Sequence, residues 1–401
     1  MKQVKVLFVL HKTVLMTGGT KSFLIMLEGL RQKGIQPIVA MPDREGVYSV
    51  IADMNIPTVI TRYYDTVYPW VRSVKDVFLF LPRLAVHRTV NHFAIRKIAK
   101  ALSHENIMLV HTNVSICTIG YWVSRRLGVP HVYHIREYAD TDFGLYHFPS
   151  RRYFYRLLSA PQSFNICITK DIQRHFLQTG RKESRVIYNG IHEAIDTIPN
   201  QPKENYFLFA GRFIEGKGVL DMLKAYADYK AQATNVIPLY AMGEQPDQPF
   251  MNKLTAFVKA HGLDSCVKFF EQRSDIQEFM LHARAIIIPS RNEGFGRCMP
   301  EAMFCGCLAI GRNTGGTQEQ LDNGKALTGE EIALRYDTGS QLTSFLTDIS
   351  NHSADDYAPY IERAFRTVNQ LYSSESNANN VYSFYQYILN REASHQVQHQ
   401  L

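Results

Sequence analysis

The chain has 401 residues, of which 45% are hydrophobic and 20% charged, and its formal net charge is +7. This balance is typical of globular proteins and excludes a mostly disordered chain or a coiled-coil fibre, while the length suits two domains. The longest apolar run, Val77–Leu81, is far shorter than the ~20 residues of a membrane-spanning helix.

The first residues and the spacing of the cysteines indicate the cellular compartment in which the protein is expected. Residues 1–10 could pass for a short signal peptide, but Lys5 interrupts the apolar stretch and no small-residue cleavage site follows, so we predict a first buried strand. The six cysteines are far apart except Cys305 and Cys307, which fits neither a disulfide scaffold nor zinc-ligand spacing. We therefore expect a reducing, cytoplasmic compartment.

The charge is divided unevenly along the chain. Residues 1–190 contain 26 Lys and Arg against 12 Asp and Glu, whereas the remaining residues contain 18 against 25. The first half therefore has a surplus of 14 positive charges. Such a surplus indicates an anionic partner, which would be a membrane surface, a nucleic acid or a phosphorylated substrate.

The first half alternates short apolar runs with segments of helical periodicity. The predicted strands are Val4–Leu10, Pro37–Met41, Thr58–Ile60, Met108–His111, His131–Ile135, Asn165–Ile168 and Arg185–Tyr188. Helices are predicted between them, including Lys21–Lys33, Ala85–Leu102 and Ile116–Leu127. This alternation indicates βαβ units and a parallel sheet that is covered on both faces.

A polar stretch with two prolines at 191–205 predicts a linker, after which the alternation begins again. The strands predicted there are Tyr206–Ala210, Val236–Met242, Val267–Phe270, Ala285–Pro289 and Leu308–Ile310. The chain after about residue 330 looks all-helical, with a last amphipathic helix at Val381–Asn390. We therefore predict an α/β fold of two doubly wound domains, residues 1–190 and 206–377, with ligands in a cleft at the carboxyl ends of the strands.

The most informative motif lies in the second domain. A predicted strand ends at Pro289, and a Gly-x-Gly loop then leads into a helix near Pro300. Glu293 on the loop and Glu301 in the helix flank this turn. One carboxylate alone would be a helix cap or a solvated side chain. Two of them, beside loop amides and a helix N-terminus at a strand end, favour contact with a ligand.

A second motif, residues 211–218, also follows a strand and has the G-x-x-x-x-G-K spacing of a phosphate-binding loop. The next residue is Gly218 instead of Ser or Thr, so the Mg²⁺-binding hydroxyl of an ATPase is missing. Arg212 and Lys217 still place two cations at a strand end. Two cations that flank a glycine-rich turn favour a diphosphate ligand over ordinary surface charges.

Three features of the first domain are less specific. Gly18 and Gly19 follow the first strand, where they either let the backbone approach a phosphate or only form a turn; the pattern is not that of a nicotinamide site. His134 ends another strand, and such a histidine is more often structural than catalytic. Asp140 and Asp142 are similar to a metal-binding pair, but no third ligand is visible, and we interpret them as a turn or helix cap.

Together these residues resemble glycosyltransferase family 4, whose members have the GT-B fold of two Rossmann-like domains. The resemblance covers most of the chain and is most specific from 206 to 320. The matching elements are Gly18–Gly19, His134, Val186–Ile191, Gly211–Arg212 with Lys217–Gly218, Glu293 with Glu301, and Asn313–Thr317 with Glu319.

The resemblance implies a retaining, metal-independent transfer of a sugar from a nucleotide-diphosphate sugar, either UDP or GDP, without a bound cofactor. The acceptor would be a glycan or a lipid-linked saccharide in cell-surface polysaccharide biosynthesis. The last helix, within residues 378–401, would cross back onto the first domain. Two cations would stabilise the departing diphosphate in the way that Mg²⁺ does elsewhere.

The resemblance also implies roles for individual residues. Arg212 and Lys217 would hold the donor diphosphate, and Glu301 would hold the nucleotide ribose. The transferred sugar would contact Glu293 and, from the first domain, His134. The amides of Phe295, Gly296 and Arg297 would also hold the transferred sugar, and Gly18 and Gly19 would contact the donor.

Two other classes of function stay open. A GT-B-like sugar-nucleotide epimerase or phosphorylase would keep the fold, although phosphorylases of this architecture are far longer and have a cofactor lysine that we cannot locate here. A non-catalytic nucleic-acid binder would use the basic first half, in which residues 151–156 interleave arginines with aromatic side chains. It would leave Glu293 and Glu301 unexplained, since carboxylates repel phosphates, so we expect no nucleic acid as partner.

Basic and apolar residues alternate between 71 and 100. The basic ones are Arg72, Lys75, Arg83, Arg88, Arg96, Lys97 and Lys100. An ordinary domain face, with its apolar side chains in the core and its charges in solvent, would give the same pattern. The alternative is a surface that lies on anionic lipid. It would place a peripheral enzyme at the inner face of the cell membrane, beside a lipid-linked acceptor.

Overall fold

Two parallel β-sheets, each in its own folding unit, organise the chain. The structure is a computed structural model and describes residues 4–12, 14, 15, 17–68 and 73–398, so Arg72 lies outside the described residues. Internal contacts divide the chain into unit 1, Met1–Gly190 with Ser374–Leu401, and unit 2, Ile191–Ser373. Residues 191–205, which were predicted as a linker, are grouped with unit 2, and the return to unit 1 begins at Ser374 instead of residue 378.

Unit 1 contains a seven-stranded parallel sheet in the order β3-β2-β1-β5-β6-β8-β9 and a two-stranded antiparallel pair, β4 with β7. Its strands are β1 (Val4–Val9), β2 (Ile35–Met41), β3 (Thr58–Ile60), β4 (Val67–Tyr68), β5 (Leu109–Thr112), β6 (His131–Ile135), β7 (Tyr146–His147), β8 (Ser163–Cys167) and β9 (Ser184–Val186). Its helices before residue 190 are α1 (Gly18–Gln32), α2 (Tyr48–Asp53), α3 (Val74–Ala101), α4 (Ile119–Leu127), α5 (Asp140–Phe143), α6 (Arg151–Leu158) and α7 (Lys170–His175).

The central strand β1 shows why this sheet is covered on both faces. Successive side chains of a strand point to opposite faces, and every residue from Val6 to Val9 is fully buried. Phe8 belongs to one hydrophobic cluster, whereas Leu7 and Val9 belong to another. The continuous apolar run of the sequence therefore supplies two cores, as expected for a parallel sheet.

Helix α3 is longer than the sequence pattern predicted. It begins at Val74, eleven residues before Ala85, because the Ser73 side chain caps it by accepting a hydrogen bond from the Asp76 amide, and it continues through Pro82. Its first half has strongly exposed apolar side chains, among them Phe78 and Leu81. In the part of the chain that the structure describes, no helix is both long and apolar enough to cross a membrane.

Unit 2 contains a six-stranded parallel sheet in the order β12-β11-β10-β13-β14-β15. Its strands are β10 (Phe207–Ala210), β11 (Leu239–Met242), β12 (Val267–Phe270), β13 (Ala285–Ile288), β14 (Ala309–Arg312) and β15 (Leu334–Tyr336). Its helices are α8 (Val219–Gln232), α9 (Gln248–Ala260), α10 (Ile276–His282), α11 (Cys298–Phe304), α12 (Gly315–Thr328), α13 (Gly339–Asn351) and α14 (Ala358–Leu371), with short 3₁₀ turns at Glu215–Lys217 and Asp355–Tyr357.

Two unit 2 predictions need adjustment. The chain after residue 330 is not all-helical, because β15 pairs with β14 at the edge of the sheet. The helix expected near Pro300 begins at Cys298, which places Glu301 in the first turn of α11. The predicted α/β class and the doubly wound character of both sheets are confirmed.

The last helix, α15 (Ser374–Gln398), packs into unit 1. Val381, Tyr385 and Ile388 are fully buried in the cluster that contains Phe8. The helix approaches α1 so closely that a Cβ atom on Gly29 would lie 2.6 Å from the Cβ of Ala378. Glycine is therefore required at this crossing.

Candidate active site

The two glycine-containing motifs of unit 2 lie side by side, because β10 and β13 are neighbours in the sheet. The backbone amide of Arg291 donates a hydrogen bond of 2.9 Å to the Gly216 carbonyl. Gly218 has a φ of +68°, and a Cβ atom there would lie 1.9 Å from the Pro289 carbonyl oxygen. Any other residue at 218 would push the two loops apart, so this glycine brings Lys217 to the loop of Glu293.

An ion pair joins the two motifs. Lys217 Nζ lies 2.6 Å from Glu293 Oε2, and their side chains are 22% and 14% exposed. The Ser290 hydroxyl donates a second hydrogen bond, of 2.9 Å, to the same carboxylate oxygen. Burial by itself would lower the pKa of Lys217, but the Glu293 carboxylate outweighs it and raises the pKa above the ordinary value. Lys217 is therefore a fixed cation at neutral pH.

Arg212 adds positive charge to the same place. It lies two residues after the end of β10, and its positive charge makes the smallest of the contributions to the pKa of Lys217, which it lowers. Two cations held together by the fold favour an anion that can bridge them. This geometry fits the diphosphate contact that the sequence predicted for Arg212 and Lys217.

The backbone around Glu293 leaves no space for side chains. Gly296 has a φ of +77°, and a Cβ atom there would lie 2.8 Å from Glu293 Cγ. Gly315 has a φ of +51°, and its Cβ would lie 2.8 Å from the Glu293 carbonyl oxygen, which accepts a 2.7 Å hydrogen bond from the Gly316 amide. The start of α12 thus closes over the loop and fixes Glu293.

The second carboxylate also has a cationic partner. Arg297 Nη2 lies 3.0 Å from Glu301 Oε1, and the two side chains are 13% and 16% exposed. Cys298 is beside this pair, and burial raises the pKa of its thiol to about 12, so it is not a thiolate nucleophile at neutral pH. The pair orients the Glu301 carboxylate without enclosing it completely.

Two further residues contribute to this site: Asp221, which the sequence analysis missed, and Thr317, which it named only as the end of the element Asn313–Thr317. Asp221 on α8 accepts two hydrogen bonds of 2.8 Å from Arg291 and one of 3.0 Å from Arg312, and so ties β14 and the Glu293 loop to the helix that follows Lys217. The Thr317 hydroxyl is buried and has no hydrogen-bond partner among the described residues. Asp221 gave no local signal, because its partners lie 70 and 91 residues away.

In unit 1, Gly18 and Gly19 form the first turn of α1. The first amides of a helix have no intrahelical partner. Apart from the chain neighbours and the backbone of α1 itself, no atom of the described residues lies within 4 Å of the position that a Cβ on Gly19 would take. The backbone at this turn is therefore open to a ligand. This arrangement fits the predicted approach of the two glycines to a phosphate.

His134 is placed differently from the prediction. It is fully buried in the middle of unit 1, where its Nδ1 lies 3.2 Å from His111 Nε2 and 3.2 Å from Arg136 Nη2. Burial lowers the pKa of both histidines well below the ordinary value, so both rings are neutral. The predicted contact of His134 with a donor sugar is not supported by this burial, because the side chain has no exposed surface.

Arg136 occupies the strand-end position that we expected for His134. Its guanidinium donates to Asn113 Oδ1 at 3.0 Å and to Asn189 Oδ1, and so links the chain segments after β5, β6 and β9. Tyr385 of α15 joins this network through a 2.6 Å hydrogen bond to His111 Nδ1. His134 thus acts on the edge of the sheet by positioning Arg136.

The predicted minor alternative is a metal site at Asp140 and Asp142, of which the Asp142 side chain lies outside the described residues. The Asp140 carboxylate pairs with Arg151 and with His175. Across the residues that the structure describes, no cluster of three His, Cys, Asp or Glu side chains has the geometry to hold a metal ion.

Comparisons with known proteins agree with this architecture. Residues 16–194 match the family described as Glycosyltransferase Family 4, and residues 191–335 match Glycosyl transferases group 1. MJ1178, an uncharacterised glycosyltransferase of Methanocaldococcus jannaschii, is 26% identical over 59% of this chain and 64% of its own length. YqgM, an uncharacterised glycosyltransferase of Bacillus subtilis, is 28% identical over 50% of this chain and 56% of its own. The chain therefore matches less than two thirds of the length of these relatives.

Solved structures extend the similarity over nearly the whole fold. The crystal structure of Anabaena Alr3699/HepE in complex with UDP has a TM-score of 0.72 and 18% identity, and the alignment covers 95% of this chain and 99% of that one. The same protein in complex with UDP-glucose has a TM-score of 0.68 and 19% identity, with 97% and 99% covered. At this level of identity the likeness establishes the arrangement of strands and helices.

Proposed function

Since the chain belongs to glycosyltransferase family 4 and has the GT-B fold, we propose that it transfers a sugar from a nucleotide-diphosphate sugar to a glycan or lipid-linked acceptor. The observation that carries the proposal is the Lys217–Glu293 ion pair beside Arg212 at the carboxyl ends of β10 and β13. It combines two fixed cations for a diphosphate with a carboxylate for a sugar.

Each part of the donor has a partner in unit 2. Arg212 and Lys217 hold the diphosphate, and Glu301, which Arg297 orients at 3.0 Å, accepts hydrogen bonds from the ribose hydroxyls. Glu293 orients the transferred sugar. The buried Thr317 hydroxyl, which has no partner among the described residues, provides a further hydrogen-bonding group beside the Gly296 loop.

The proposed chemistry proceeds with retention and without a metal. The bond between the anomeric carbon and the diphosphate oxygen breaks, and the acceptor oxygen bonds to that carbon on the same face of the sugar. The acceptor proton passes to the departing diphosphate. Negative charge develops on the leaving group, where Arg212 and Lys217 stabilise it electrostatically. Full activity in the presence of EDTA supports this mechanism, whereas a strict need for Mn²⁺ or Mg²⁺ contradicts it.

UDP sugars are the first donors to test, because the structural neighbour HepE is described in complexes with UDP and with UDP-glucose. A thermal-shift screen with UDP, GDP, ADP and their sugars measures binding directly, since a ligand that binds the folded state raises the melting temperature. We expect one nucleotide series to raise it. No shift with any nucleotide diphosphate would contradict the proposal, and release of an epimerised sugar nucleotide would favour the epimerase alternative.

We place the acceptor among the precursors of cell-surface polysaccharides and the enzyme on an anionic membrane surface. The support is the surplus of positive charge in residues 1–190 together with the exposed apolar side chains of α3, which include Val77, Phe78 and Leu81. Apolar side chains that enter the lipid, flanked by basic ones at the headgroups, give reversible attachment. Vesicle sedimentation tests this attachment. We expect the protein to bind vesicles that contain anionic lipid, and to bind them more weakly in high salt.

A further inference from the structure

Unit 1 has a cavity of about 360 Å³ that none of the donor contacts uses. It lies between α3, α4, α6 and the strand β7, and its size is within the range of small-molecule sites. The wall combines apolar and aromatic residues, such as Ile95, Trp122 and Phe148, with polar ones that include Arg88, Thr118 and His147. No carboxylate is present among the described residues that line it, so the cavity is suited to an anion.

The histidine of this cavity lacks a partner. His147 is 8% exposed, and its ring stacks on Phe154 with 3.7 Å between the centroids. Its Nε2 atom is buried and has no hydrogen-bond partner among the described residues. Burial lowers the pKa of the imidazole to about 3, so the ring is neutral and can donate one hydrogen bond. A buried polar atom without a partner is costly, and a ligand oxygen in the cavity would satisfy Nε2 when the single proton of the ring is on that atom.

Two further groups favour an anion at the same place. The Arg88 guanidinium is exposed and lies 4.9 Å from the centre of the Phe148 ring, which is part of the wall. Thr118 precedes the first residue of α4, and its side chain makes no capping hydrogen bond. The Thr118 amide donates to the Thr66 hydroxyl at 3.1 Å. Thr118, Ile119 and Arg88 all line the cavity, so the positive end of α4 lies beside it and favours an anion there.

The cavity continues into an exposed apolar stripe on α3. Val77, Leu81, Arg88 and Ile95 are separated by four, seven and seven residues, and such spacings place side chains on one helix face. Val77, Phe78 and Leu81 are 55%, 76% and 70% exposed, while Arg88 and Ile95 line the cavity. One face of α3 therefore leads from an exposed apolar surface to a cationic pocket.

We propose that the cavity and the stripe form a binding site for a lipid phosphate. The phosphate contacts Arg88, the Nε2–H of His147 and the amino end of α4, and the hydrocarbon chain lies along Val77, Phe78 and Leu81. The loop between β5 and α4 connects this pocket to Asn113, at the strand edge of unit 1. The site rests on the proposed function in one respect: it would hold the carrier of a lipid-linked acceptor.

A fluorescence titration tests the site in the full chain. The sequence contains two tryptophans, Trp70 and Trp122, so a Trp70→Phe background leaves Trp122, in the cavity wall, as the single reporter. Dodecyl phosphate below its micelle concentration is the probe, with dodecanol and inorganic phosphate as separate arms. We expect a saturable change with dodecyl phosphate and at least about tenfold weaker binding of each half alone, because both charge and buried hydrocarbon contribute.

Matched variants separate the two contributions. Arg88→Gln is expected to weaken dodecyl phosphate binding by about tenfold, whereas Lys97→Gln, an exposed cation on the opposite face of α3, leaves it unchanged. Leu81→Ser is expected to weaken it, whereas Val86→Ser, at a position that is also exposed, does not. All four positions are exposed, and unchanged melting temperatures confirm that the variants fold.

Three results would overturn the proposal. Equal binding of dodecanol would show a nonspecific hydrophobic surface, and equal binding of inorganic phosphate would show a site for a free anion. The third result is an equal effect of Arg88→Gln and Lys97→Gln on dodecyl phosphate binding. The UDP-sugar thermal shift is measured on the same samples. If dodecyl phosphate fails while the donor binds, this site alone is rejected. If the donor fails while dodecyl phosphate binds, the proposed transferase reaction is rejected and the lipid phosphate site stands.

Discussion

The carboxyl edges of the two sheets differ in the kind of polar contact that they contain. In unit 2 the contacts are partly exposed ion pairs, Lys217 with Glu293 and Arg297 with Glu301. In unit 1 they are buried hydrogen bonds that join the Arg136 guanidinium to the neutral ring of His134 and to the Asn113 amide, with a further contact between the His134 and His111 rings.

This difference separates two tasks. A partly exposed ion pair can exchange one partner for a ligand group of the same charge without leaving a charge unpaired, so unit 2 can accept a diphosphate and sugar hydroxyls. A buried hydrogen bond cannot exchange one partner without leaving a polar group unpaired. Unit 1 therefore fixes the positions of its strand ends, and unit 2 supplies the exchangeable charges.

The largest effect on activity is expected at Glu293, the charged side chain that we propose to contact the transferred sugar. Replacing Glu293 by Gln removes the negative charge that pairs with Lys217 and lowers turnover by roughly 10²–10³-fold, while the fold is retained because the shape of the side chain is kept. Steady-state kinetics with the donor found in the thermal-shift screen measures it. Glu215→Gln, on the neighbouring exposed turn, is the control, and a Glu293→Gln variant with normal kcat would show that the carboxylate is not part of the reaction.

The buried histidines of unit 1 predict a stability that depends on pH. Burial depresses the folded-state pKa of His111, His131 and His134 far below 6.5, so below pH 6.5 only the unfolded chain takes up these protons. Each histidine then reduces the free energy of unfolding by up to about 1.4 kcal/mol per pH unit. Asp65, whose pKa burial raises to about 6, acts in the opposite direction below pH 6.

Urea unfolding at pH 7.5 and 5.5, followed by tryptophan fluorescence, measures this effect. Both tryptophans belong to residues 1–190, so the signal reports on unit 1. In unit 2 the described histidines, His192, His261, His282 and His352, are not buried, and the same dependence is not expected there. An unfolding midpoint of unit 1 that is the same at pH 5.5 and pH 7.5 would contradict the assignment of His111, His131 and His134 as neutral.

The cation of the donor site is expected to act on binding. Lys217→Ala removes one charge-assisted contact and weakens nucleotide diphosphate binding by about 10- to 100-fold, with little change in the affinity for the nucleoside. Isothermal titration with both ligands measures the difference. Lys224→Ala, at an exposed position of α8, serves as the control. Equal loss of nucleoside binding would show a general collapse of the loop instead of a missing phosphate contact.

The smallest effect is expected at the ribose. Glu301→Gln keeps one hydrogen-bond acceptor and loses the ion pair with Arg297, so we expect the donor KM to rise by about tenfold with a small change in kcat. A fall in kcat at constant KM would instead show that Glu301 takes part in the reaction. The two carboxylates of unit 2 would then not have the separate roles proposed for them.

The parts that the sequence predicted well are those in which the signal is local. Both sheets could be predicted because buried parallel strands are short β-branched runs, such as residues 4–9, between glycines and helices. The pairing of the Lys217 and Glu293 motifs could be expected because both follow strands, and glycine spacing marks each turn. Strand β15 was missed, since Leu334–Tyr336 has three residues and a charged one in the middle.

What could not be predicted depends on contacts between distant segments. Asp221 holds the loops of unit 2 through Arg291 and Arg312, which lie 70 and 91 residues away, and no neighbour in the sequence indicates this role. At the end of β6 the sequence could not show which polar residue emerges from the sheet. The structure places His134 inside and Arg136 at the edge, because the strand ends at Ile135 and the chain beyond it is free to reach Asn113 and Asn189.

Helix α15 also affects how the protein is made. Its residues complete the core around Phe8, so unit 1 cannot finish folding on the ribosome until residues 374–398 have been synthesised. Unit 2 is continuous from Ile191 to Ser373 and emerges first as a complete folding unit. At ~5–20 residues per second, the apolar surface that α15 covers stays open for about 10–40 s after residue 190 has been added. During that interval a nascent-chain chaperone has access to the apolar surface of unit 1. In the finished protein α15 covers this surface.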